Sequence, residues 1–156
     1  MKYTDTQIVF REVPDEMTLA INISGCPVKC PGCHSSYLTR DVGEILDTDS
    51  LKVLMEQNHG ITCVSFMGGD ADPSYIKTLA DFVHAHGLKT CWYSGRGLDC
   101  AKDVLDSLDF IKVGPYIEEY GPLDYSTTNQ RFYKVDRTKE GPILTDWTPR
   151  FKKVIL

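Results

Sequence analysis

The chain is organised around one short thiol-rich stretch, Cys26-Pro27-Val28-Lys29-Cys30-Pro31-Gly32-Cys33-His34. Its three cysteines, at C-x3-C-x2-C spacing, follow the apolar alternation of residues 19–23, which predicts a strand leading into a loop. Proline and glycine between the thiols favour turns that curl the backbone around a central object. The stretch is therefore a candidate for holding a metal centre.

The number of thiols limits which metal centre this stretch can hold. A structural zinc takes four protein ligands, so three clustered cysteines would need a fourth ligand such as His34 or Cys63. A [4Fe-4S] cluster that only transfers electrons is held by four thiolates, so three thiolates leave one iron without a protein ligand. An iron with an open position can bind a small molecule, as a catalytic metal does. Both interpretations remain open on these residues alone.

Length, charge and hydropathy narrow the class of protein. A chain of 156 residues suits a single domain spanning 1–156. The net charge of −5 and the lack of a basic run disfavour direct binding of nucleic acid. The sequence has neither an apolar run near eighteen residues nor a signal-like amino terminus, which predicts a cytoplasmic protein without a membrane span. In that compartment Cys63, Cys91 and Cys100 are expected to be reduced and buried as small apolar side chains.

Strand-like and helix-like segments alternate through the middle of the chain. Apolar runs predict strands at 17–24, 61–67, 88–93 and 110–113, and helical spacing predicts helices starting near Ser50 and Pro73 and over 98–108. Residues 6–11, 131–135 and 151–156 are weaker strand candidates, and the segment around 141–149 is expected to be a loop. Because a full eight-stranded barrel needs about 250 residues, the expected fold is a partial (open) α/β barrel with parallel strands and crossover helices.

Glycine-rich turns follow the predicted strands. Gly68-Gly69-Asp70 ends the most apolar strand, where two glycines let backbone approach a ligand closely, although a lone Gly-Gly pair is more typical of an ordinary turn. Ser94-Gly95-Arg96 and Gly114-Pro115-Tyr116 end the next two strands. Ligand sites in parallel sheets lie at the carboxyl ends of strands, so these turns and the cysteine stretch are expected to lie together.

In combination these motifs resemble the radical S-adenosylmethionine (SAM) enzymes. C-x3-C-x2-C after a first strand is the signature of that superfamily, and the Pro-Gly before Cys33 resembles the activating protein (activase) of the anaerobic class III ribonucleoside-triphosphate reductase. Gly68-Gly69-Asp70 resembles the motif that contacts the SAM amino group, although Ala71 and Asp72 precede the proline that would directly follow the acidic residue. The segments 92–95, 109–116 and 126–131 also resemble activase segments, so the resemblance runs in order from Cys26 to Arg131.

The resemblance implies a cofactor, a reaction and partners. One [4Fe-4S] cluster would be held by Cys26, Cys30 and Cys33, with no catalytic side chain beyond these ligands, and SAM would be contacted by Gly32, Cys33, His34, Gly68, Gly69 and Asp70. The cluster would reductively cleave SAM to a 5′-deoxyadenosyl radical, which would generate a glycyl radical on the large reductase subunit. A low-potential donor such as flavodoxin would supply the electron.

Several alternatives and secondary expectations accompany this interpretation. The target could be another glycyl radical enzyme such as pyruvate formate-lyase, or the chain could be a non-enzymatic zinc-binding interaction module. The polar segment after Tyr116 is a candidate docking surface for the partner. His59, His84 and His86 are expected at helix ends, where imidazolium favours the helix dipole, and are interpreted as structural.

Overall fold

The structure, a computed structural model, describes residues 1–25 and 42–151. Its centre is a mixed eight-stranded sheet with the strand order β3-β1-β2-β4-β5-β6-β7-β8. The strands are β1 (Lys2–Val9), β2 (Thr18–Ile23), β3 (Glu44–Ile45), β4 (Cys63–Met67), β5 (Lys89–Tyr93), β6 (Phe110–Val113), β7 (Arg131–Thr138) and β8 (Gly141–Asp146). The central strands β2, β4, β5 and β6 are parallel, and the flanking strands pair antiparallel.

Two α-helices, α1 (Thr48–Gln57) and α2 (Pro73–Ala85), are present in the described residues, and both begin at aspartate caps. The Asp47 carboxylate accepts a hydrogen bond from the Ser50 amide at 2.8 Å, and the Asp47 amide donates to the Ser50 hydroxyl at 2.9 Å. This reciprocal pair is a capping box. Asp72 accepts from the Tyr75 amide at 3.2 Å, and Pro73 occupies the first helical position, where its missing N–H costs nothing. Both helices therefore start close to where the sequence predicts them.

The fold predicted from the strand–helix alternation, an open α/β barrel with parallel strands and crossover helices, is wrong. The four central strands are parallel as expected, but they sit in a sheet extended by antiparallel strands at both sides. The segment predicted as a helix over 98–108 forms two short 3₁₀ helices, Leu98–Ala101 and Leu105–Ser107. Aspartates at 99, 103 and 106 reduce its helix propensity, which explains the shorter turns.

The carboxyl-terminal part of the chain departs from the prediction in a second way. Residues predicted as loop form β8, which pairs with β7 in a hairpin from Thr138↔Gly141 to Tyr133↔Asp146. Pro142 is tolerated there because β8 is an edge strand, which does not need every amide for a ladder. A 3₁₀ helix at Thr148–Phe151 follows, and the rest of the strand predicted at 151–156 lies outside the described residues.

The two faces of the sheet are covered differently. Both α-helices and the two 3₁₀ helices between β5 and β6 pack on one face, burying side chains that include Leu19, Ile21, Phe66, Trp92, Ile111, Leu51 and Leu79. The opposite face carries a smaller cluster of Val13, Cys63, Cys91, Phe110 and Phe132. The ring centroids of Phe132 and Phe151 are 4.8 Å apart, so the carboxyl-terminal 3₁₀ helix closes part of this second face.

The three cysteines outside the thiol-rich stretch differ in burial. Cys63 and Cys91 are fully buried and unpaired, as predicted, whereas Cys100 is exposed and its predicted burial is wrong. Cys100 lies on the 3₁₀ helix in which Ala101 faces the core, so the residue before it points outward. No helix among residues 1–25 and 42–151 is long and apolar enough to cross a membrane.

Candidate metal and cofactor site at the carboxyl edge of the sheet

The carboxyl ends of the four parallel strands meet at one edge of the sheet, here called the carboxyl edge. It comprises the residues that directly follow β2, β4, β5 and β6, namely Ser24-Gly25, Gly68-Gly69-Asp70, Ser94-Gly95-Arg96 and Gly114-Pro115. The thiol-rich stretch begins at the next position, Cys26. That cysteine and the predicted site residues Cys30, Gly32, Cys33 and His34 lie outside the described residues.

The glycine pair after β4 lies against the end of β2. Gly68 and Gly69 have φ values of +109° and +87°, a backbone conformation that side chains disfavour. A Cβ on Gly68 would lie 3.1 Å from the carbonyl oxygen of Ile23, the last residue of β2. The Gly68 carbonyl accepts from the Trp92 indole N–H at 2.7 Å, and its amide donates to the Tyr93 carbonyl at 3.0 Å. The pair is thus held next to the point where the chain enters the cysteine stretch.

Asp70 connects the turns after β4 and β5. Its side chain is buried, and one carboxylate oxygen accepts a hydrogen bond from the Ser94 hydroxyl. The other oxygen accepts from the Gly95 amide at 3.1 Å, and the Ser94 oxygen in turn accepts from the Arg96 amide at 3.0 Å. The sequence indicated Asp70 as a cofactor contact; its observed contacts are with the neighbouring turn.

Lys112 on β6 is a buried cation that the sequence interpretation missed. Its Nζ donates to the carbonyls of Ser94 and Gly114, both at 3.1 Å, and lies 5.7 Å from the centroid of the Tyr93 ring. Only 9% of the residue is exposed. The available signal was a lysine inside the apolar run Phe110-Ile111-Lys112-Val113, where every neighbour predicts burial.

The segment 126–131, which resembles an activase stretch, returns to the same edge. The side-chain amide of Asn129 donates to the Pro115 carbonyl at 3.0 Å, and the side-chain amide of Gln130 donates to the Gly114 carbonyl at 3.4 Å. Gly114 has a φ of +104°, and a Cβ there would lie 3.3 Å from Cα of Gln130. The close approach of these backbones explains why the turn after β6 uses glycine.

A row of side chains crosses the sheet just inside the carboxyl edge. Asn22, Met67, Tyr93 and Lys112 are successive cross-strand partners on β2, β4, β5 and β6, so they point to the same face. Tyr93 packs against the cluster on the face opposite the α-helices, which places the whole row on that face. The row combines an amide, a thioether, an aromatic ring and an ammonium. Such a surface suits a ligand with both polar and apolar parts.

Two thiols outside the cysteine stretch, those of Cys63 and Cys91, are buried in the sheet. Burial raises the pKa of the Cys91 thiol to about 12, and it raises the pKa of Cys63 well above the usual range. Cys63 pairs with Thr18 at the start of β2, five residues from Ile23 or roughly 16 Å along the strands. In the described part of the chain no group of three or more His, Cys, Asp or Glu side chains could hold a metal ion. Cys63 therefore does not suit the fourth position of a zinc site built on the cysteine stretch.

A separate polar network lies at the opposite edge of the sheet. His84 at the end of α2 has its Nε2 2.8 Å from an oxygen of Asp109, and its Nδ1 3.1 Å from the Arg137 guanidinium. Asp109 also accepts from the Thr90 amide at 2.9 Å. These contacts tie α2, β5, β6 and β7 together, so His84 serves the packing of these elements.

Comparison with known proteins identifies the family of the chain. Residues 17–133, more than half of the sequence, match the family described as the 4Fe-4S single cluster domain. The matched range contains the three clustered cysteines and all of the turns of the carboxyl edge. Neither the curated proteins nor the solved structures give a match. The chain belongs to the 4Fe-4S single cluster domain family.

Proposed function

We propose that this protein is a radical SAM activating protein that generates a glycyl radical on the large subunit of an anaerobic ribonucleotide reductase. The observation that carries the proposal is the junction between β2 and Gly68. β2 ends at Ile23, three positions before Cys26, and the Ile23 carbonyl oxygen is 3.1 Å from where a Gly68 Cβ would lie. A cluster held by the three cysteines would then adjoin backbone that lacks side chains.

The residues fit a cluster with one open iron better than an electron-transfer cluster. Three thiolates are clustered in the sequence, and a [4Fe-4S] cluster that only transfers electrons takes four. The two cysteines buried in the described sheet, Cys63 and Cys91, pack in the cluster on the second face, and burial raises the pKa of both thiols. Cys26, Cys30 and Cys33 would hold the cluster, which when bound would supply the one electron needed for reductive cleavage of SAM.

The chain's own residues would bind and orient SAM. The carbonyls of Gly68 and Gly69 each accept one hydrogen bond, from the Trp92 indole and from the Asp72 amide. Each keeps a second lone pair, which an amino group can approach closely because neither residue has a side chain. Along the row, Asn22, Met67 and Tyr93 give the ligand a mixed polar and apolar surface, while the Lys112 ammonium is held by the Ser94 and Gly114 carbonyls. Asp70 holds the turns around this surface in fixed positions through Ser94 and Gly95.

The partner would dock beside this edge. The segment after β6 places Tyr116, Ile117, Glu118 and Glu119 around a cavity of 350 Å³, and the Tyr120 side chain is 46% exposed. An exposed surface rich in tyrosine is typical of protein interfaces. We assign this segment to docking of the large reductase subunit, with the partner's glycine entering at the carboxyl edge. A low-potential donor such as flavodoxin would reduce the cluster in the cytoplasm.

A metal and product analysis tests the proposed function. Anaerobically reconstituted protein is expected to contain about four irons and matching sulfide per chain, and to release 5′-deoxyadenosine and methionine when reduced with SAM present. Mixing it with an anaerobic reductase large subunit, and separately with pyruvate formate-lyase, identifies the target by the glycyl radical signal. Tightly held zinc without sulfide would overturn the proposal, and a signal only with pyruvate formate-lyase would change its target.

A further inference from the structure

The structure assigns a positioning role to Asp70 and Lys112. We propose that they clamp the Ser94–Gly95 peptide from its two ends, and that this clamp sets the backbone which binds SAM at the carboxyl edge. The inference rests on the proposed function for the identity of the ligand. The clamp itself is a property of the protein alone and can be tested without SAM.

The geometry of the peptide carries the proposal. Its carbonyl oxygen, from Ser94, accepts from Lys112 Nζ at 3.1 Å, and its N–H, from Gly95, donates to Asp70 Oδ2 at 3.1 Å. The C=O and N–H of a trans peptide point in opposite directions. A cation therefore faces the negative end of the peptide dipole and an anion faces its positive end, and both contacts are charge-assisted hydrogen bonds.

Further contacts join the clamp to all three neighbouring turns. The Ser94 hydroxyl donates to the second oxygen of Asp70, and the Ser94 amide donates to the main-chain carbonyl of Lys112 at 2.8 Å. The same lysine ammonium donates to the Gly114 carbonyl after β6. Asp70 directly follows Gly68-Gly69. Movement of the clamped peptide would therefore displace the turns after β4, β5 and β6 together.

Burial makes this arrangement hard to rearrange. Asp70 is 2% exposed, Ser94 is 1% exposed and Lys112 is 9% exposed. Charged groups at this depth are stable only when their hydrogen-bonding capacity is met. Removing the charge of either side chain weakens its hydrogen bond to the peptide, and Lys112→Met removes that bond altogether. Asp70 and Lys112 thus act on SAM through the backbone that they hold, whereas Gly68 and Gly69 approach the ligand directly.

The test compares Asp70→Asn, Lys112→Met and the double variant with wild type. Lys52→Met is the matched control, because it is the same substitution at an exposed lysine on α1, whose Nζ lies 4.0 Å from a Glu56 carboxylate oxygen. Hydrogen exchange at Gly95 in the cluster-loaded protein is expected to accelerate in the three clamp variants and to stay unchanged in the control. The dissociation constant for SAM, measured by equilibrium dialysis, is expected to rise about 10- to 100-fold, as for other residues that orient a site.

The double variant separates a shared clamp from two independent contacts. If both side chains hold the same peptide, the double variant weakens SAM binding about as much as the more severe single variant. Lys112→Gln, which keeps a donor and removes the charge, replaces Lys112→Met if the latter does not fold. Iron content is expected to be unchanged throughout.

The outcomes of this test are distinguishable. Unchanged Gly95 exchange and unchanged SAM binding in both single variants would overturn the clamp while leaving the proposed function intact. Strictly additive losses in the double variant would also overturn it. A wild-type, cluster-loaded protein that does not bind SAM would overturn the proposed function, and the exchange data would still decide whether the clamp exists.

Discussion

Both edges of the parallel strands carry polar networks, but the network at the carboxyl edge is buried and binds backbone, whereas the network at the other edge is partly exposed and binds side chains. At the carboxyl edge, Asp70 and Lys112 bind main-chain groups of turns. At the opposite edge, which we call the amino edge, His84, Asp109 and Arg137 bind mainly one another. The carboxyl edge therefore consists of backbone held in position, and the amino edge of side chains that satisfy each other.

In the amino-edge network, the donors and acceptors of the three side chains are matched to one another. Arg137 can only donate, so Nδ1 of His84 must accept, and Nε2–H must then donate to Asp109. Asp109 receives Arg137 on its second oxygen at 3.2 Å. Both ring nitrogens of His84 are therefore used within the network. This cluster therefore has the residue types of a catalytic site without a group directed at a ligand.

The difference teaches that residue type alone does not identify a site in this fold. His84, Asp109 and Thr90 would attract attention in any search for catalytic side chains, yet they join four elements of the fold. The carboxyl edge has fewer reactive side chains, but it has glycines at positive φ beside the cysteine stretch. Main-chain polar groups without side chains can contact a small ligand from several directions.

The largest expected effect is at the cysteine stretch. Cys30→Ala should abolish cluster assembly, because two thiolates cannot replace the three that the stretch supplies. Iron and sulfide analysis after anaerobic reconstitution measures this loss. Cys100→Ala is the control, since Cys100 is the exposed cysteine on the 3₁₀ helix after β5, and it should load a full cluster. Full loading of Cys30→Ala would contradict the ligand assignment.

Two glycines at positive φ, one at each edge, sharpen the comparison. Gly68→Ala and Gly87→Ala should each lower the free energy of unfolding by about 1–2 kcal/mol, the usual cost of left-handed backbone. Only Gly68 has a close neighbour, the Ile23 carbonyl, whereas a Cβ on Gly87 meets nothing within 4 Å. SAM binding should therefore weaken in Gly68→Ala alone. Chemical denaturation and equilibrium dialysis measure the two effects, and equal SAM affinity in both variants would remove the distinction between the edges.

A side-chain change at the amino edge should affect stability and leave the site unchanged. Asp109→Ala removes the acceptor of Thr90, His84 and Arg137 and should cost about 1–3 kcal/mol of unfolding free energy. The dissociation constant for SAM should not change, because the network lies at the far end of the strands. A loss of SAM affinity in a variant that remains folded would show that the two edges are coupled.

The smallest expected effect concerns the thiols on the second face. Burial raises the pKa of Cys91 from 9.0 to about 12, so the folded state retains a proton that the unfolded state loses above pH 9. This contribution to stability is complete below pH 9 and is lost as the pH rises toward 12. At pH 8, iodoacetamide should label exposed Cys100 and leave Cys91 unlabelled in cluster-loaded protein. Mass spectrometry of the peptides checks this, and rapid labelling of Cys91 would contradict its burial.

Local patterns predicted the parallel core of the fold. The apolar runs located β2, β4, β5 and β6, Asp72-Pro73 located the start of α2, and α1 was predicted to start near Ser50, whereas it starts at Thr48 after the Asp47 cap. The fold class was predicted wrongly because of the strands that flank the parallel core. The amino-terminal strand β1 alternates weakly in hydrophobicity, and β8 begins with Gly141-Pro142, which favours a turn. Such flanking strands gain their stability from pairing with a neighbour, and that gain is not visible in the local sequence.

The candidate site was predicted in part. Because parallel strands place their carboxyl ends together, the sequence predicted that Gly68-Gly69, Ser94 and Gly114 lie at one edge. The structure confirms this prediction. The side-chain partners of Asp70 could not be predicted, because they depend on the positions of turns that are distant in sequence. Lys112 could have been noticed, since a lysine flanked by apolar strand residues must find buried acceptors. The proposed cluster ligands lie outside the described residues.

The most direct test of the central claim is low-temperature EPR of the dithionite-reduced, cluster-loaded protein with and without SAM. If the carboxyl edge holds a [4Fe-4S] cluster with an open iron, adding SAM should change the cluster signal, and Cys33→Ala should show no such signal. Gly68→Ala should keep the signal but need more SAM to change it. A cluster signal that does not change at saturating SAM, or zinc in place of iron, would contradict the account.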